Sequence, residues 1–260
     1  MSLVAQNLTL TLGKKQILKE VSFTAAPGAV TAIVGPNGSG KSTLLKALVG
    51  EHVTEGEITL NGRALGSYRP WELAALRAVL PQATVLAFPF TVLEVVRLGL
   101  AAGPDAARPE LAHEALALVD LEGYAARSYQ DLSGGEQQRV QLARVLVQVW
   151  QPLREGTPRW LFLDEPVSSL DIAHQLTVMA LARRFAQRGG GVIAVMHDLN
   201  LTAMFADRVH VMSRGQTAGA GPVAEVLTDR CLNDVYGCNL RISTVPKDVG
   251  LFVLPQTARM

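Results

Sequence analysis

Residues 35–43 read Gly35-Pro36-Asn37-Gly38-Ser39-Gly40-Lys41-Ser42-Thr43, behind the strand-like run Ala29–Val34 and ahead of a helical pattern, Ser42–Val49, that Gly50 can end. Strand, glycine-rich turn and helix in that order make a phosphate-binding loop. Glycines let successive backbone N–H groups curl around phosphate oxygens, and the helix N-terminus adds partial positive charge. Lys41 is placed to reach the β- and γ-phosphates, and the Ser42 hydroxyl to ligate magnesium. The bland alternative is a glycine-rich turn that holds nothing. This stretch predicts a nucleoside triphosphate with Mg2+.

Two further segments bear on the same chemistry. Trp160–Leu163 is an apolar strand that ends in Asp164 and Glu165. At the carboxyl edge of a parallel sheet these carboxylates face the nucleotide crevice. Asp164 is then expected to hold the metal and Glu165 to polarise an attacking water, although Asp-Glu is also a common solvated strand end. Leu132-Ser133-Gly134-Gly135-Glu136-Gln137-Gln138-Arg139 is the sharper signal. Ser133 can cap a helix whose N–H groups point at an anion, and the two glycines let that anion approach. Taken alone, the same residues are simply a good helix start.

Working outward, Val4–Leu12 alternates weakly and reads as an edge-type strand. Ile17–Phe23 and Glu57–Leu60 read as further strands, the latter followed by the hairpin dipeptide Asn61-Gly62. Thr91–Leu100, Pro109–Val119 and Glu136–Trp150 carry apolar residues at helical spacing. Strands return at Trp160–Leu163 and Gly191–Met196, with a helix over Ile172–Arg188 between them. Such alternation implies a parallel sheet covered by helices, with a helical insert that makes two lobes. Pro152–Pro158 reads as a surface loop.

Of 260 residues, 48% are hydrophobic and 18% charged, against a usual charged share of about 25%. A formal charge of +1 leaves no electrostatic footprint for nucleic acid. The mean hydropathy of +0.21 hints at apolar surface covered by partners, although a large core would serve as well. No run approaches the roughly 18 apolar residues that span a bilayer, and no secretory signal opens the chain. Cys231 and Cys238 fit neither a metal nor a redox spacing and read as thiols of a reducing compartment. A soluble, cytosolic chain is expected.

The sequence resembles the ATP-binding subunits of ABC transporters along essentially its whole length. Gly35–Thr43 matches the Walker A loop, Leu132–Arg139 the signature and Trp160–Glu165 the Walker B strand. Gln82, in Leu80-Pro81-Gln82, matches the Q-loop, Ser169-Leu170-Asp171 the D-loop, and His197, in Met196-His197-Asp198, the switch histidine. The resemblance implies an α/β P-loop NTPase fold, a RecA-like parallel sheet with an antiparallel β subdomain and an inserted helical subdomain. One ABC ATPase domain would cover 1–260, with a core lobe at 1–84 and 151–225, a helical subdomain at about 85–150 and a C-terminal extension at about 226–260. Two copies would stack as a homodimer, each ATP held between Walker A of one and Ser133, Gly134, Gly135 and Gln137 of the other. Gln82 would join Ser42 and Asp164 at Mg2+, and His197 would hold the γ-phosphate beside Glu165. His197 taken singly is an ordinary strand-end histidine. His52, His113, His174 and His210 match no motif and are expected to be structural.

The family usually offers an aromatic residue for adenine near the end of its first strand. Leu12 stands there in this chain, which forfeits the stacking contribution, on the order of 1 kcal/mol. Val167 replaces the threonine common in the family. Phe88-Pro89-Phe90-Thr91-Val92 with Glu94-Val95-Val96 resembles importers of iron–siderophore, haem and cobalamin. The stretch to Phe90, the Pro152–Pro158 segment and Leu170-Asp171-Ile172-Ala173-His174-Gln175 look most like haemin-import ATPases. The resemblance implies transmembrane permease subunits as partners, reached through the apolar segment Ala83–Leu100. An extracytoplasmic substrate-binding protein would take part indirectly, and the chain would lie on the cytoplasmic face of the plasma membrane. A ferric siderophore or cobalamin cargo stays open. So do the soluble classes, an ATPase of translation, DNA repair or iron–sulfur cluster assembly. The first two would carry a second cassette or long coiled coils, and this chain has one signature and no heptad run.

Overall fold

The chain enters as antiparallel strands β1 (Leu3–Leu12) and β2 (Lys15–Ala25), then runs through β3 (Val30–Val34) into helix α1 (Lys41–Leu48). Strands β4 (Glu55–Leu60) and β5 (Arg63–Ala64) precede α2 (Pro70–Leu76) and β6 (Arg77–Leu80). Helices α3 (Val92–Ala102), α4 (Leu111–Leu118) and α5 (Gly134–Gln148) follow. A hairpin, β7 (Leu153–Arg154) and β8 (Thr157–Pro158), leads to β9 (Trp160–Asp164), α6 (Ile172–Gln187), β10 (Gly191–Val195) and α7 (Leu199–Phe205). Strands β11 (Arg208–Ser213) and β12 (Gln216–Pro222) and helices α8 (Val223–Val226) and α9 (Asp229–Tyr236) complete it. The computed structural model describes residues 1–84, 86–245, 250–251 and 253–258. No helix of the described residues is long and apolar enough to cross a membrane.

The central sheet runs β12-β11-β3-β10-β9-β6, parallel from β11 to β6 with β12 antiparallel at its edge. Every residue of β3, β9 and β10 is buried. Period-two alternation divides these strands between two cores. Val30, Ala32, Val34, Leu161, Leu163, Val192 and Ala194 face one core, which α6 and the inserted helices also fill. Ile33, Trp160, Phe162, Ile193 and Val195 face the other, with α1 and the β1–β2 strands.

The second sheet has the order β2-β1-β4-β5, so β1 is central and the edge-strand expectation is corrected. Its weak alternation has a different cause. Leu3 and Ala5 are buried, then the phase changes and Leu8 and Leu10 are buried. Asn7 (φ 52°) lies in the register shift between Ala5 and Leu8, as a bulge that re-aims the strand. The Pro152–Pro158 loop is likewise corrected. Leu153 pairs with Pro158 and Arg154 with Thr157, around Glu155 and Gly156 at positive φ, a two-residue hairpin turn.

Helices α3–α5 are inserted between β6 and β9, which are neighbours in the sheet. A Cβ on Gly99 of α3 would lie 1.9 Å from the Arg144 carbonyl oxygen of α5, so glycine permits that close crossing. The Gln148 amide donates to the Ala74 and Arg77 carbonyls (2.9 and 3.0 Å), tying α5 to the base of β6. His210 is buried on Phe23, edge to face at 5.1 Å, and burial drives its pKa down to about 4. It is a neutral core histidine.

Candidate functional site

Four adjacent parallel strands end in register, which brings their following loops together. Val195 pairs with Ile33 and with Asp164, and Leu163 pairs with Leu80. Just past these ends come Gly35, His197, Glu165 and Gln82, from segments far apart in the chain. Such an edge is where open α/β sheets place their ligand crevice.

Gly35 closes β3 with φ 145°, and a Cβ there would lie 2.1 Å from the Met212 carbonyl oxygen. Only glycine fits. Gly38 and Gly40 also have positive φ, and the Ser39 carbonyl accepts from Gly215 N–H at 3.0 Å, so the β11–β12 turn supports the loop. The Lys41 ammonium donates to the Gly35 and Pro36 carbonyls at 2.9 and 3.1 Å, closing the loop into a ring. Burial lowers the Lys41 pKa, while the charges of Glu165 and Asp164 oppose the fall. Pro36, Asn37 and Thr43 lie at the loop's rim and the start of α1, where Pro36 and Thr43 are half-buried and Asn37 is exposed. Ser39 Oγ is buried without a hydrogen-bond partner. An orphan hydroxyl and a glycine cradle fit a polyphosphate.

The Ser42 hydroxyl donates to Asp164 Oδ1 at 3.1 Å. Burial pushes the Asp164 carboxyl upward, the Ser42 bond opposes this, and the neighbouring Glu165 charge adds to it. A buried carboxylate held at raised pKa beside a hydroxyl is a hard-oxygen pair that suits Mg2+. Glu165 bridges the other two strand ends. Its Oε2 accepts from Gln82 Nε2 at 3.0 Å, and its Oε1 lies 2.6 Å from His197 Nε2. The residue stands at φ 53°, a left-handed conformation that costs about 1–3 kcal/mol in a non-glycine residue. The Gln82 amide thus engages Glu165, beside the Ser42–Asp164 pair.

Ser133 begins α5 with a reciprocal cap. Its Oγ accepts from Glu136 N–H at 3.3 Å, and Glu136 Oε2 accepts the Ser133 N–H at 2.8 Å. The Ser133 hydroxyl and N–H hold the Glu136 carboxyl below its usual range. A Cβ on Gly134 would meet nothing within 4 Å, whereas one on Gly135 would lie 3.3 Å from the Ser169 carbonyl oxygen. Among the described residues no hydrogen bond joins Ser133, Gly134 or Gly135 to the 35–43 loop. The two glycine-rich loops are not brought together within one chain. Gln137 donates to the Tyr129 and Leu132 carbonyls, so its amide braces its own loop. Leu12 ends β1 opposite Lys15, 44% exposed.

A family model described as ABC transporter matches residues 18–168, more than half of the chain. The chain belongs to the ABC transporter family. It is 73% identical over 259 residues to the Hemin import ATP-binding protein HmuV of Ruegeria sp. (strain TM1040), covering 100% of both chains. It is 60% identical over 257 residues to the protein of the same name from Jannaschia sp. (strain CCS1), covering 99% of this chain and 95% of that one. Among solved structures, one is a dimeric ATP-binding cassette in a post-hydrolysis state with ADP and phosphate. It superposes with a TM-score of 0.72 at 28% identity, over 85% of this chain and 98% of that one. An inward-facing ABC transporter described as metal-chelate type gives 0.73 at 26% identity, over 91% and 89%. ATP binding follows from the family.

Two residues inside the matched motifs gain an individual role only from the structure. Gln138 donates to the Glu165 carbonyl at 3.2 Å and so fastens the signature helix to the Walker B turn. Gln175 donates to the Val167 and Leu170 carbonyls, pinning the D-loop that underlies Gly135. Each looks like an ordinary polar helix residue until its helix is docked. The apolar segment 83–93 is divided: Leu86, Phe90 and Leu93 pack on the core, while Phe88 is 68% exposed. Val85 of that segment lies outside the described residues.

Proposed function

We propose that this chain is the ATP-binding and ATP-hydrolysing subunit of a bacterial hemin importer, working as a homodimer on the cytoplasmic face of the plasma membrane. The observation that carries the reading is the convergence of Lys41, Ser42, Asp164, Glu165, Gln82 and His197 at one sheet edge. The Ser133–Gly135 turn, meanwhile, presents its N–H groups to no phosphate site on its own chain. A second copy, stacked head to tail, supplies the missing half. The dimeric relative with ADP and phosphate supports that assembly, and the hemin-import names of the 73% and 60% identical relatives support the cargo.

Lys41 and the loop N–H groups would take the β- and γ-phosphates, and Ser42 and Asp164, with Gln82 adjacent, would hold Mg2+. The metal would neutralise charge on the phosphate oxygens. Glu165 takes a proton from the attacking water while the water oxygen bonds to the γ-phosphorus. The bond to the ADP oxygen breaks, releasing ADP and phosphate. His197 orients the carboxylate and faces the γ-phosphate. Gln82, bonded to Glu165 at one end of segment 82–93, reports the state of the site to a permease helix docked by Phe88. In this reading the core lobe is 1–84 and 151–225, the helical subdomain about 85–150, and the extension about 226–260.

The test is reconstitution with the cognate permease and binding protein in vesicles, offering hemin, a ferric siderophore and cobalamin in turn. ATP-dependent uptake of hemin above the other two is expected. Preferential uptake of either other cargo would overturn the hemin assignment. Copurification with soluble cluster-assembly proteins and no permease would overturn the importer.

A further inference from the structure

We propose that Asp105 is a positioning residue for the two-copy ATP site, its ion pairs with Arg154 and Arg159 fixing the inserted helices α3–α5 to the core at the β7–β8 hairpin. The course of the chain brings these groups together. Helix α3 ends at Gly103, where a Cβ would lie 2.3 Å from the Gln148 carbonyl oxygen, so the ends of α3 and α5 are in close contact. Asp105, two residues on, therefore lies beside the hairpin into which α5 continues. That hairpin is fastened to the core. Its Pro152 carbonyl accepts from Arg159 N–H at 2.8 Å, and its Pro158 carbonyl accepts from the Asn61 side-chain amide at 3.0 Å. The Arg159 carbonyl in turn accepts from Gly191 N–H at 2.8 Å.

Asp105 and Arg159 are buried, and Arg154 is half-buried. The two carboxylate oxygens are divided between the two guanidinium groups. Oδ1 lies 3.9 Å from Arg154 Nη1, and Oδ2 lies 3.8 Å from Arg159 Nη1. Among the described residues no other carboxylate lies within 4.0 Å of Arg159. Asp105 Oδ2 and both Nη1 atoms are shut off from solvent without a hydrogen bond, so the cluster holds by charge and not by directed bonds. A buried charge is tolerated when an opposite charge faces it and is strongly destabilising alone. Swinging the inserted helices away from the hairpin would strand Asp105 and Arg159 inside the protein. The cluster thus confines α3–α5 to one orientation, and α5 opens with the Ser133 turn that would meet a partner's ATP. It also gives the 152–158 hairpin a task, to which none of the ATP-site groups lays claim.

The inference rests on the two-copy site proposed above, and Asp105→Asn in the full-length chain tests it, because the amide keeps the shape and removes the charge. The kcat for ATP is expected to fall about 3- to 30-fold. Equilibrium binding of a fluorescent ATP analogue with Mg2+ should stay within about twofold, since the phosphate loop of each chain is untouched. With Glu165→Gln in the same chain, size-exclusion chromatography should recover less of the ATP-bound dimer. Asp105→Glu, whose extra methylene can span part of the 3.8 Å gap, should keep kcat within about twofold of wild type. Arg154→Gln leaves the buried Asp105–Arg159 pair in place and should lower kcat in the same sense. Added to Asp105→Asn it should cost little more, because both act through one cluster. Should Asp105→Asn fail to fold, Arg154→Gln decides alone. Wild-type turnover in these two variants, or ATP affinity that falls in step with kcat, would overturn the assignment. Hydrolysis by a wild-type monomer would instead defeat the two-copy reading itself.

Discussion

Glu165→Gln separates the proton-accepting role from every structural role of that side chain. The Glu165 carboxylate is only 14% exposed and is held by Gln82 at 3.0 Å and His197 at 2.6 Å. Glutamine has the same shape. Its amide oxygen accepts from Gln82, its NH2 group faces the His197 ring, and the positive φ of 53° costs it no more than it costs glutamate. Fold and ATP binding are therefore preserved, and what disappears is a basic oxygen able to take a proton from water. A positioned general base contributes about 10²- to 10⁴-fold. That corresponds to about 3–5 kcal/mol of activation free energy at about 1.36 kcal/mol per decade. Steady-state phosphate release at saturating ATP and Mg2+ should show kcat lowered by that factor. KM should stay within about threefold, and size-exclusion chromatography should recover a dimer that retains ATP. A kcat within tenfold of wild type would remove Glu165 from the role of base. Loss of ATP affinity in step with kcat would show that the side chain binds rather than catalyses.

Three further substitutions probe the rest of the site. Burial holds the Asp164 pKa above its ordinary 3.8, so the folded state binds that proton more tightly than the unfolded chain. Its contribution to stability is greatest in acid and falls as pH rises from 3.8 through the folded value, leaving the ionised carboxylate destabilising at pH 7.5. Asp164→Asn should therefore raise the nucleotide-free midpoint by about 2–4 °C, for roughly 1 kcal/mol, while Mg2+-dependent hydrolysis is lost; calorimetry showing a lower midpoint would refute this. Gly134→Ala places a methyl where its own chain offers no contact within 4 Å, so stability should hold or improve by up to about 1 kcal/mol. ATPase activity should fall at least tenfold, on the order of 1.4 kcal/mol, because a partner's phosphate approaches there; full activity would count against the two-copy site. Leu12→Tyr should tighten ATP about fivefold, for about 1 kcal/mol of stacking, in an equilibrium titration. No change would place adenine elsewhere.

Whatever chemistry sits in consecutive residues was readable before folding. The 35–43 loop, the Trp160–Glu165 strand and the Ser133 cap are local because glycine freedom, strand burial and helix capping act over a few residues. The helices of 91–150 and the Asn61-Gly62 turn were readable for the same reason. Elements without a local signature were not. The Asn7 bulge made a central strand resemble an edge, and β6 was hidden because it is only four residues long and opens with Arg77. Strand β12 carries Gly219 and Gly221 where packing against α8 and α9 needs small residues, so it lacks the β-branched run that marks a strand. The meeting of Gln82, Glu165 and His197 depends on parallel strands ending in register, which no one segment encodes. Docking alone explains Gln138, whose amide fastens the helical insert to Glu165. Sequence determined which groups are candidates to hold phosphate. Tertiary structure decided how they are aimed, because direction comes from long-range strand pairing and burial.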